Sequence, residues 1–406
     1  MKELTGIKIM VLSSLFPNKV EPTAGLFVRE RMFRVAKYSP LFVVSPKPWS
    51  PIDSLIRLVK PKYRNYPRER EIDNNISIHF PRFFSIPLLG RRFDGFFMAK
   101  AVKNYLQKNK LTKTFNHIDA HFSYPDGYAG AKLKHRLNKT LTITMRGTEV
   151  PHSLHHKKRA AMLFAWKSAE KVICVSNSLR NLAINIGANA NKFLVVGNGV
   201  DDEKFHYSIN KDIRKELKIT KDAKVLITVG GLVKRKGVDK VLSAMPKVMS
   251  RYSNLHYLVV GGETAEGNNK IELENLAGDL GVADNVHFLG KLAPEELKFY
   301  LSAADIFVLM SSNEGWANVI LEAMACEIPV LASDVGGNSE VVSTSEFGNI
   351  IGLNDVNVLP TTMCEMLEKD WSREKLRTYA QQNCWQNRVT DLQRIFTQIQ
   401  QRATND

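Results

Sequence analysis

The chain has 406 residues, of which 44% are hydrophobic and 24% are charged. A chain of this length can bury substantial cores, and it predicts two domains of about 200 residues each. No run of about 18 apolar residues occurs, so no transmembrane helix is predicted. The first residues lack an apolar signal-peptide core, and the four cysteines show neither paired nor metal-ligand spacing. We therefore expect a soluble protein of the reducing cytoplasm.

Positive charge is concentrated in the first half of the chain. Residues 1–200 contain 34 Lys and Arg against 12 Asp and Glu, a net charge of +22, whereas the remaining residues carry a net charge of −6. This asymmetry indicates an anionic partner for the first half, such as a membrane surface, an anionic polymer or nucleic acid. Because no recognised nucleic-acid-binding module is visible, we expect no nucleic acid partner.

Apolar runs and amphipathic stretches alternate along the first half. They predict strands at 7–14, 41–45, 140–144, 171–176 and 192–197, and helices at 26–37, 160–169 and 178–186. Residues 46–92 are rich in Pro, Arg and aromatic residues and show little periodicity. We expect a long, partly irregular excursion there, of the kind that often carries binding specificity.

The alternation of predicted strands and helices continues in the second half, after a turn at 198–201 and a charged link at about 202–222. Strands are predicted at 223–230, 255–261, 285–290, 305–310 and 329–333, and a final helical stretch at 371–403. Alternating strands and helices are typical of parallel sheets. The predicted fold class is therefore α/β, with two doubly wound domains at 1–200 and 201–385 and a ligand cleft between them.

The segment 312–337, SNEGWANVILEAMACEIPVLASDVGG, is the most informative part of the sequence. Glu314 and Glu322 lie eight residues apart around the predicted start of a helix, which follows Trp316 and ends before Pro329. A helix N-terminus offers unpaired backbone N–H groups that suit an anion such as a diphosphate. Glu314 precedes that N-terminus, and Glu322 projects about 12 Å further along the helix axis. The two carboxylates would then accept hydroxyl hydrogen bonds on both sides of a phosphate site.

The two glutamates, joined to EAMACEIPVLASDVGG, resemble the signature of the retaining, nucleotide-sugar-dependent glycosyltransferases of family 4. The resemblance implies the GT-B fold, in which two Rossmann-like domains face a central cleft and a C-terminal helix, here 386–406, returns to the first domain. It implies transfer of a sugar from a nucleotide diphosphate donor, of the UDP or GDP type, with retention of anomeric configuration and without a cofactor. The expected acceptor is a glycan or a lipid-linked glycan, as in similar bacterial enzymes that build exopolysaccharide or teichuronic-type polymers.

The resemblance also assigns residues of the second half to the donor. It implies that Glu314 binds hydroxyls of the donor sugar and that Glu322 binds the ribose hydroxyls. Further donor contacts are implied for Asn313, Trp316, the backbone amides near Asn318 and Val319, and Lys291, the last near the base.

The loop GGLVKRKGVD at 230–239 follows a predicted strand and opens a helix. Its glycines let the backbone approach a phosphate, and Lys236 and Arg235 offer cations to diphosphate oxygens. In the family, an Arg and a Lys of this loop hold the donor diphosphate. Lys236 matches that Lys, but Gly231 stands where the Arg is usual, which makes Arg235 the candidate substitute. The alternative is a surface turn with solvated cations.

Three residues of the first half are candidates to face the substrates, and two of them, Gly25 and His121, resemble family positions. Gly25 precedes the first helix and permits close approach of sugar or phosphate groups. His121, in HFSYPDG, would donate a hydrogen bond to a donor hydroxyl, and with Lys236 and Glu314 it completes the predicted catalytic residues. Arg146 would supply charge near the leaving group or acceptor, or else form a structural salt bridge. No Asp-x-Asp motif occurs, and no metal site is predicted.

The segment 86–110 combines apolar residues with Arg91, Arg92, Lys100 and Lys103, and it predicts a face that binds an anionic bilayer. The alternative is a core-packed helix with a solvated rim. We expect a cytoplasmic protein that is peripheral to the inner face of the plasma membrane. Other functions on the same architecture stay open: a non-catalytic basic scaffold or nucleic-acid-binding protein, a sugar-nucleotide epimerase, or a phosphorylase.

Overall fold

The computed structural model describes residues 6–61, 63–87, 91–264 and 266–405. Predicted segments that reach residues 1–5, 88–90 and 406 extend outside these described residues. The described chain forms two compact units. Unit 1 runs up to Asn198 and also includes the segment from Arg388 onward, and unit 2 is Gly199–Asn387. None of the described helices is long and apolar enough to cross a membrane.

The described residues of unit 1 form ten strands, of which eight belong to one main sheet. The strands are β1 (Ile9–Leu12), β2 (Leu41–Val44), β3 (Lys47–Trp49), β4 (Arg70–Asp73), β5 (Ile76–His79), β6 (Arg82–Phe84), β7 (His117–His121), β8 (Thr140–Met145), β9 (Lys171–Cys174) and β10 (Phe193–Val195). The main sheet has the order β10-β9-β8-β7-β1-β2-β5-β4, in which only β4 is antiparallel to its neighbour. β3 and β6 form a separate parallel ribbon.

Helices connect these strands as the parallel arrangement requires. They are α1 (Leu26–Val35), α2 (Asp53–Val59), α3 (Asp94–Lys108), α4 (Tyr128–Leu137), α5 (Glu149–Ser153), α6 (His156–Ser168) and α7 (Asn177–Asn185). β1 reads Ile-Met-Val-Leu and is wholly buried, as expected for a central parallel strand covered on both faces. β7 is equally buried but reads His-Ile-Asp-Ala-His, which is why its hydrophobicity did not predict a strand.

Residues 46–92 are more regular than predicted. They contain β3, α2, β4, β5 and β6, and both β4 and β5 extend the main sheet. Strands of three or four residues are too short to show a periodicity of two, so pairing with neighbours rather than local pattern defines them. The segment is therefore partly irregular, as expected, but it also contributes two strands to the main sheet.

Unit 2 has a six-stranded, wholly parallel sheet. Its strands are β11 (Lys224–Val229), β12 (Leu255–Val260), β13 (Val286–Gly290), β14 (Ile306–Leu309), β15 (Val330–Ser333) and β16 (Gly348–Ile351), in the order β13-β12-β11-β14-β15-β16. Its helices are α8 (Ile213–Glu216), α9 (Val238–Met249), α10 (Lys270–Asp279), α11 (Pro294–Ser302), α12 (Asn318–Ala325), α13 (Asn338–Val341), α14 (Leu359–Glu368) and α15 (Arg373–Gln382). The five strands predicted for this half are all present, and each boundary lies within one residue of its prediction.

The predicted helical stretch at 371–403 is two helices. α15 ends at Gln382 and packs against α12, and α16 (Trp385–Asn405) follows after a break of two residues. Val389, Leu392 and Phe396 of α16 are buried in the core of unit 1 with the strand residues Ile9 and Val11. The C-terminal part of the chain therefore completes the first unit.

Each unit has a topological switch point beside its first strand. β1 lies between β2 and β7, and β11 lies between β12 and β14, so successive connections leave in opposite directions. In such sheets ligands bind at the carboxyl ends of the strands, next to this reversal. The predicted fold class is confirmed: an α/β protein of two doubly wound, Rossmann-like units.

Candidate active site

In unit 2 the switch point brings together the loops that follow β11 and β14. The first loop contains the 3₁₀ turn Lys234–Lys236 and leads to α9, and the second leads to α12. The N–H of Ser312 donates to the carbonyl oxygen of Arg235 at 2.8 Å, which joins the two loops through their backbones. Two of the predicted catalytic residues, Lys236 and Glu314, therefore lie side by side.

Glu314 is the centre of this cluster. Its Oε1 accepts hydrogen bonds from Nζ of Lys236 at 2.6 Å and from Oγ of Ser311 at 2.8 Å. Nη1 of Arg235 is 3.5 Å from the same oxygen. The side chains of Lys236 and Glu314 are only 13% and 10% exposed, so salt screens their ion pair weakly. The pair holds a cation in a fixed position at the ligand-binding edge of the sheet.

Two glycines with left-handed backbones pack closely against the segment that carries Glu314. Gly237, before α9, has a φ of +71°, and a Cβ there would lie 2.1 Å from the carbonyl oxygen of Met310. Gly336 has a φ of +58°, and a Cβ there would lie 1.7 Å from the carbonyl oxygen of Glu314. Any other residue at either position would push away the loop that carries Glu314.

The N-terminus of α12 is suited to an anion. No side chain caps it, and its first turn contains no acidic residue, so the partial positive charge of the helix is not compensated there. The predicted contacts Asn318 and Val319 are the first two residues of this helix, and both are partly buried. Trp316 precedes them, and its Nε1 is buried without a hydrogen-bond partner among the described residues.

Three further predicted donor contacts lie at different places around unit 2. Asn313 belongs to the cluster, because its carbonyl oxygen accepts from Nη1 of Arg235 at 3.1 Å. Glu322 lies on α12, four residues beyond its first residue, and is partly buried. Lys291 follows β13, two strands away from β11, and its exposed side chain runs beside Gly262. The structure thus brings Asn313 into the cluster but not Lys291.

Arg235 is shared between two carboxylates. Its Nη2 and Nε donate to the Oε1 and Oε2 atoms of Glu266 at 2.7 and 2.9 Å. These hydrogen bonds raise the pKa of Arg235 and lower the pKa of Glu266. At Gly231, a Cβ would lie 2.3 Å from Cγ2 of Thr264, so this threonine fills the space that a larger residue would need. Both Glu266 and Thr264 lie in the loop after β12, which sequence analysis did not single out.

In unit 1, His121 is the last residue of β7 and is fully buried at the switch point. Its Nδ1 accepts from Nε and Nη2 of Arg146 at 3.1 and 3.0 Å. Burial lowers the pKa of His121 to about 4 although Asp119 lies nearby, so the imidazole is neutral at pH 7. Since Nδ1 accepts, the proton resides on Nε2, which is 3.3 Å from Oδ2 of Asp119 without the direction of a hydrogen bond. His121 is therefore a neutral donor in a fixed orientation.

Arg146 holds this histidine rather than forming a salt bridge. Its Nη1 donates to Oδ1 of Asn198 at 3.1 Å, and its guanidinium lies over the ring of Phe27 at 4.9 Å. The same amide oxygen accepts from Nη2 of Arg31 at 3.2 Å. Arg31 is completely buried, which lowers its pKa to about 10. Sequence analysis assigned no function to Arg31 or Asn198, because neither belongs to a functional motif and their contact spans more than 160 residues.

A second buried carboxylate fixes the loops after β7 and β8. Glu149 accepts from the N–H and Oγ of Ser123 at 2.9 and 2.7 Å, and from the N–H of Gly147 at 2.9 Å. The indole N–H of Trp166 donates to the same Ser123 hydroxyl at 2.9 Å. Glu149 is therefore a structural support for the segment that carries His121.

Gly25 serves the packing of the loop after β1. It precedes α1 with a φ of +70°, and a Cβ there would lie 2.4 Å from the carbonyl oxygen of Leu15. No side chain caps the N-terminus of α1, and its first turn has no acidic residue. The glycine thus keeps the backbone close, and the helix end fits the predicted approach of an anionic group.

A cavity of about 550 Å³ opens beside the switch point of unit 1. It lies between the loops after β1 and β7 and the β3–β6 ribbon, and its lining includes Ser14, Lys47, Arg64, Phe83, Tyr124 and His152. Ser14 also donates to the buried carboxylate of Asp126, whose pKa burial raises to about 7. A volume of a few hundred Å³ lined by rings and hydrogen-bonding groups is typical of a site for a small polar ligand. No cluster of three metal-ligating side chains occurs among the described residues.

Comparison with known proteins gives the family. Residues 209–383 match the model for glycosyl transferases group 1, and residues 56–204 match the model for glycosyltransferase family 4. The chain is 27% identical over 347 residues to the putative teichuronic acid biosynthesis glycosyltransferase TuaC of Bacillus subtilis, which covers 82% of this chain and 83% of that protein.

Solved structures share the fold at low identity. Sucrose-phosphate synthase from Thermosynechococcus elongatus superposes with a TM-score of 0.77 at 20% identity, over 97% of this chain and 98% of that one. HepE of Anabaena, in complex with UDP, superposes with a TM-score of 0.69 at 18% identity, over 98% and 100% of the two chains. With two family models that together span most of its length and a relative aligned along most of it, the chain belongs to the glycosyltransferases of the GT-B type.

Proposed function

We propose that this protein transfers a sugar from a nucleotide diphosphate sugar, of the UDP or GDP type, to a glycan or lipid-linked glycan with retention of anomeric configuration. The observation that carries the proposal is the contact between Lys236 and Glu314 at the switch point of unit 2. A cation, an open helix N-terminus and a carboxylate at one strand edge match the diphosphate and hydroxyl groups of such a donor.

The proposed chemistry in unit 2 is stabilisation of the departing nucleotide. Nζ of Lys236 and the backbone amides at the start of α12 would bind the diphosphate and hold its negative charge as the glycosidic bond breaks. Glu314 would accept hydroxyl hydrogen bonds from the sugar. Because its carboxylate already binds Lys236 and Ser311, we assign it to orientation and not to nucleophilic attack. Retention would then follow from attack of the acceptor on the face that the diphosphate leaves.

In unit 1 we assign substrate contacts to His121 and to the cavity beside it. His121 is neutral and Arg146 fixes its ring, so Nε2 would be the atom that donates to a substrate hydroxyl. The cavity offers rings and hydrogen-bonding groups for an acceptor sugar. The similarity to TuaC supports a role in cell-surface polysaccharide synthesis. The positive charge of the first half supports association with the inner face of the plasma membrane.

A thermal-shift panel tests the donor site. Purified protein is heated with UDP, GDP, ADP, CMP and their common sugar conjugates, without added metal. We expect a stabilising shift with one diphosphate series and its loss in Lys236→Ala. Lys234→Ala is the matched control, because Lys234 lies in the same 3₁₀ turn but is exposed, and it should keep the shift. If the folded protein showed no thermal shift with any of these nucleotides, the proposal would be contradicted.

A second measurement tests the stereochemistry. NMR of slow donor hydrolysis, or of transfer to an accepted glycan, reports the anomer that forms first. Formation of the anomer of the donor supports retention, whereas the opposite anomer would overturn that part of the proposal.

A further inference from the structure

Unit 1 exposes an apolar surface on a segment that sequence periodicity did not identify. Helix α2 presents Leu55, Leu58 and Val59, which are 65%, 81% and 83% exposed, and Ile52 just before it is 41% exposed. A spacing of three residues places Ile52, Leu55 and Leu58 on one side of the helix. Isolated apolar residues at a surface need no explanation, but a contiguous group of large aliphatic side chains marks an interaction site.

A second group of exposed apolar side chains lies on the segment that follows β6, whereas α2 follows β3. β3 ends at Trp49 and leads to α2, and β6 ends at Phe84 and leads towards α3. Because the two strands are parallel and pair Trp49 with Phe84, the segments that follow them emerge together. Phe93 and Phe96, at the start of α3, are about half exposed and contact the ring of Phe97, which in turn contacts Phe84.

This apolar surface adjoins the cavity of unit 1. Nη1 of Arg64 is 3.2 Å from Oδ1 of Asp53, the first residue of α2, and donates to the carbonyl oxygen of Ser85 at 2.8 Å. Arg64 and Ser85 also line the cavity, together with Phe83 of β6. The ribbon and the chain after α2 are therefore common to the apolar surface and to the cavity wall.

The charge of this region indicates which kind of partner binds the apolar surface. Lys60 is exposed directly after Val59, and the first 200 residues carry a net charge of +22. A second copy docked through the same face would bring like charges together. A nucleic acid would satisfy the cations but leave Leu58 and Val59 in water. An anionic bilayer can bind both kinds of group, because the aliphatic side chains insert among the acyl chains and the anionic head groups attract the cations.

We propose that α2, together with Phe93 and Phe96, docks on an anionic lipid bilayer and thereby holds the unit 1 cavity close to lipid-linked acceptors. The acceptor in this inference rests on the proposed function, whereas the bilayer contact does not. The docking surface overlaps the predicted one at 86–110 only at Phe93 and Phe96, because α3 directs Met98, Val102 and Leu106 into the core.

Vesicle flotation tests the contact with the full chain. We expect wild-type protein to float with vesicles that contain phosphatidylglycerol and not with vesicles of phosphatidylcholine alone. The double variant Leu58→Asp/Val59→Asp should reduce the bound fraction at least about tenfold, since two charges replace the inserted aliphatic groups. Ile271→Asp is the matched control, because Ile271 is 70% exposed on a helix of unit 2, and it should float like wild type.

The outcomes separate this inference from the proposed function. Loss of flotation in the double variant, with its nucleotide thermal shift intact, supports the contact. Flotation of the double variant at the wild-type level, equal loss in Ile271→Asp, or absence of wild-type flotation at low salt overturns it. A dimer in light scattering that the double variant abolishes, without flotation, would assign the surface to a second copy instead. Flotation without any nucleotide shift contradicts only the proposed function.

Discussion

Units 1 and 2 share a doubly wound design but hold their functional residues in different ways. In unit 2, Lys236 and Glu314 project from short loops, and tight backbone contacts at glycines bring those loops together. In unit 1, His121 ends a buried strand and is fixed by Arg146, which shares the amide of Asn198 with Arg31. Unit 2 therefore has its charged groups near the ligand-binding edge of the sheet, whereas unit 1 has them inside its core.

This difference predicts different responses to perturbation. Ionic groups near the ligand edge of unit 2 interact with each other and with a bound anion, so changes there should alter binding and turnover more than folding. Titratable groups in the interior of unit 1 cannot change their protonation without a cost to the folded state.

The largest expected effect is the acid sensitivity of unit 1. Burial lowers the pKa values of His79, His117, His121 and His152 to about 4, so between pH 6.5 and 4 the unfolded chain binds more protons and stability falls as the pH falls. Asp126 acts in the opposite sense, because its raised pKa of about 7 makes it stabilising on acidification. The histidines outnumber it, and we expect a net loss on the order of 5 kcal/mol. Hydrogen exchange followed from pH 7 to 4.5 should show unit 1 opening before unit 2.

A single substitution tests the cause of that sensitivity. His117 lies between the hydroxyls of Thr140 and Thr142 and is fully buried, so His117→Gln should make the stability of unit 1 less dependent on pH. The control is His256→Gln in unit 2, which should leave the pH dependence of unit 1 unchanged. If unit 2 opened first on acidification, the buried histidines would not be the controlling groups.

The sequence assigned Lys236 and Glu314, which are in contact, to one group of residues, whereas it did not predict the contacts around His121. Lys236 and Glu314 belong to local motifs in which a strand, a turn and a helix start follow within a few residues, so their placement follows from the order of elements. The support around His121 comes from Arg146, Asn198 and Arg31, which are distant from it in the chain. Long-range hydrogen bonds of this kind leave no periodicity to detect.

The same reasoning applies to the fold. Long apolar strands such as β11 and β12 were predicted to within one residue, because they are buried on both faces. β7 was missed because its buried residues include two histidines and an aspartate, whose hydrogen bonds replace apolar contacts. α2 was missed because its exposed aliphatic side chains lie in a segment without a clear polar face.

The second effect separates binding from turnover in unit 2. Glu314→Gln keeps the shape of the side chain and removes its charge, so the sugar loses a strong acceptor while Lys236 loses its carboxylate partner. We expect turnover to fall about 100-fold, within the range for losing one stabilising contact to a reacting substrate. Affinity for the nucleoside diphosphate should stay the same or rise. Steady-state kinetics and calorimetry measure the two quantities on one preparation.

The control for this substitution is Glu274→Gln. Glu274 is an exposed acid that pairs with Lys270 on α10, so its loss should change neither quantity. Full turnover in Glu314→Gln would show that Glu314 has no part in the reaction, whereas a parallel loss of nucleotide affinity would show that it supports the loop rather than the sugar.

The smallest expected effect concerns the shared cation of unit 2. Arg235 is bound by Glu266, whose side chain is 53% exposed, and a donor diphosphate would have to compete for the same guanidinium. Glu266→Gln removes that competition, and we expect the Kd for UDP or GDP to fall about threefold at low salt, in line with the small energies of exposed ion pairs. The gain should vanish at high salt and also in the double variant Glu266→Gln/Arg235→Ala, which isolates the role of Arg235. A gain that persisted without Arg235 would assign the effect to general electrostatics, and no gain at all would show that Arg235 stays with Glu314 and Asn313 when the donor binds.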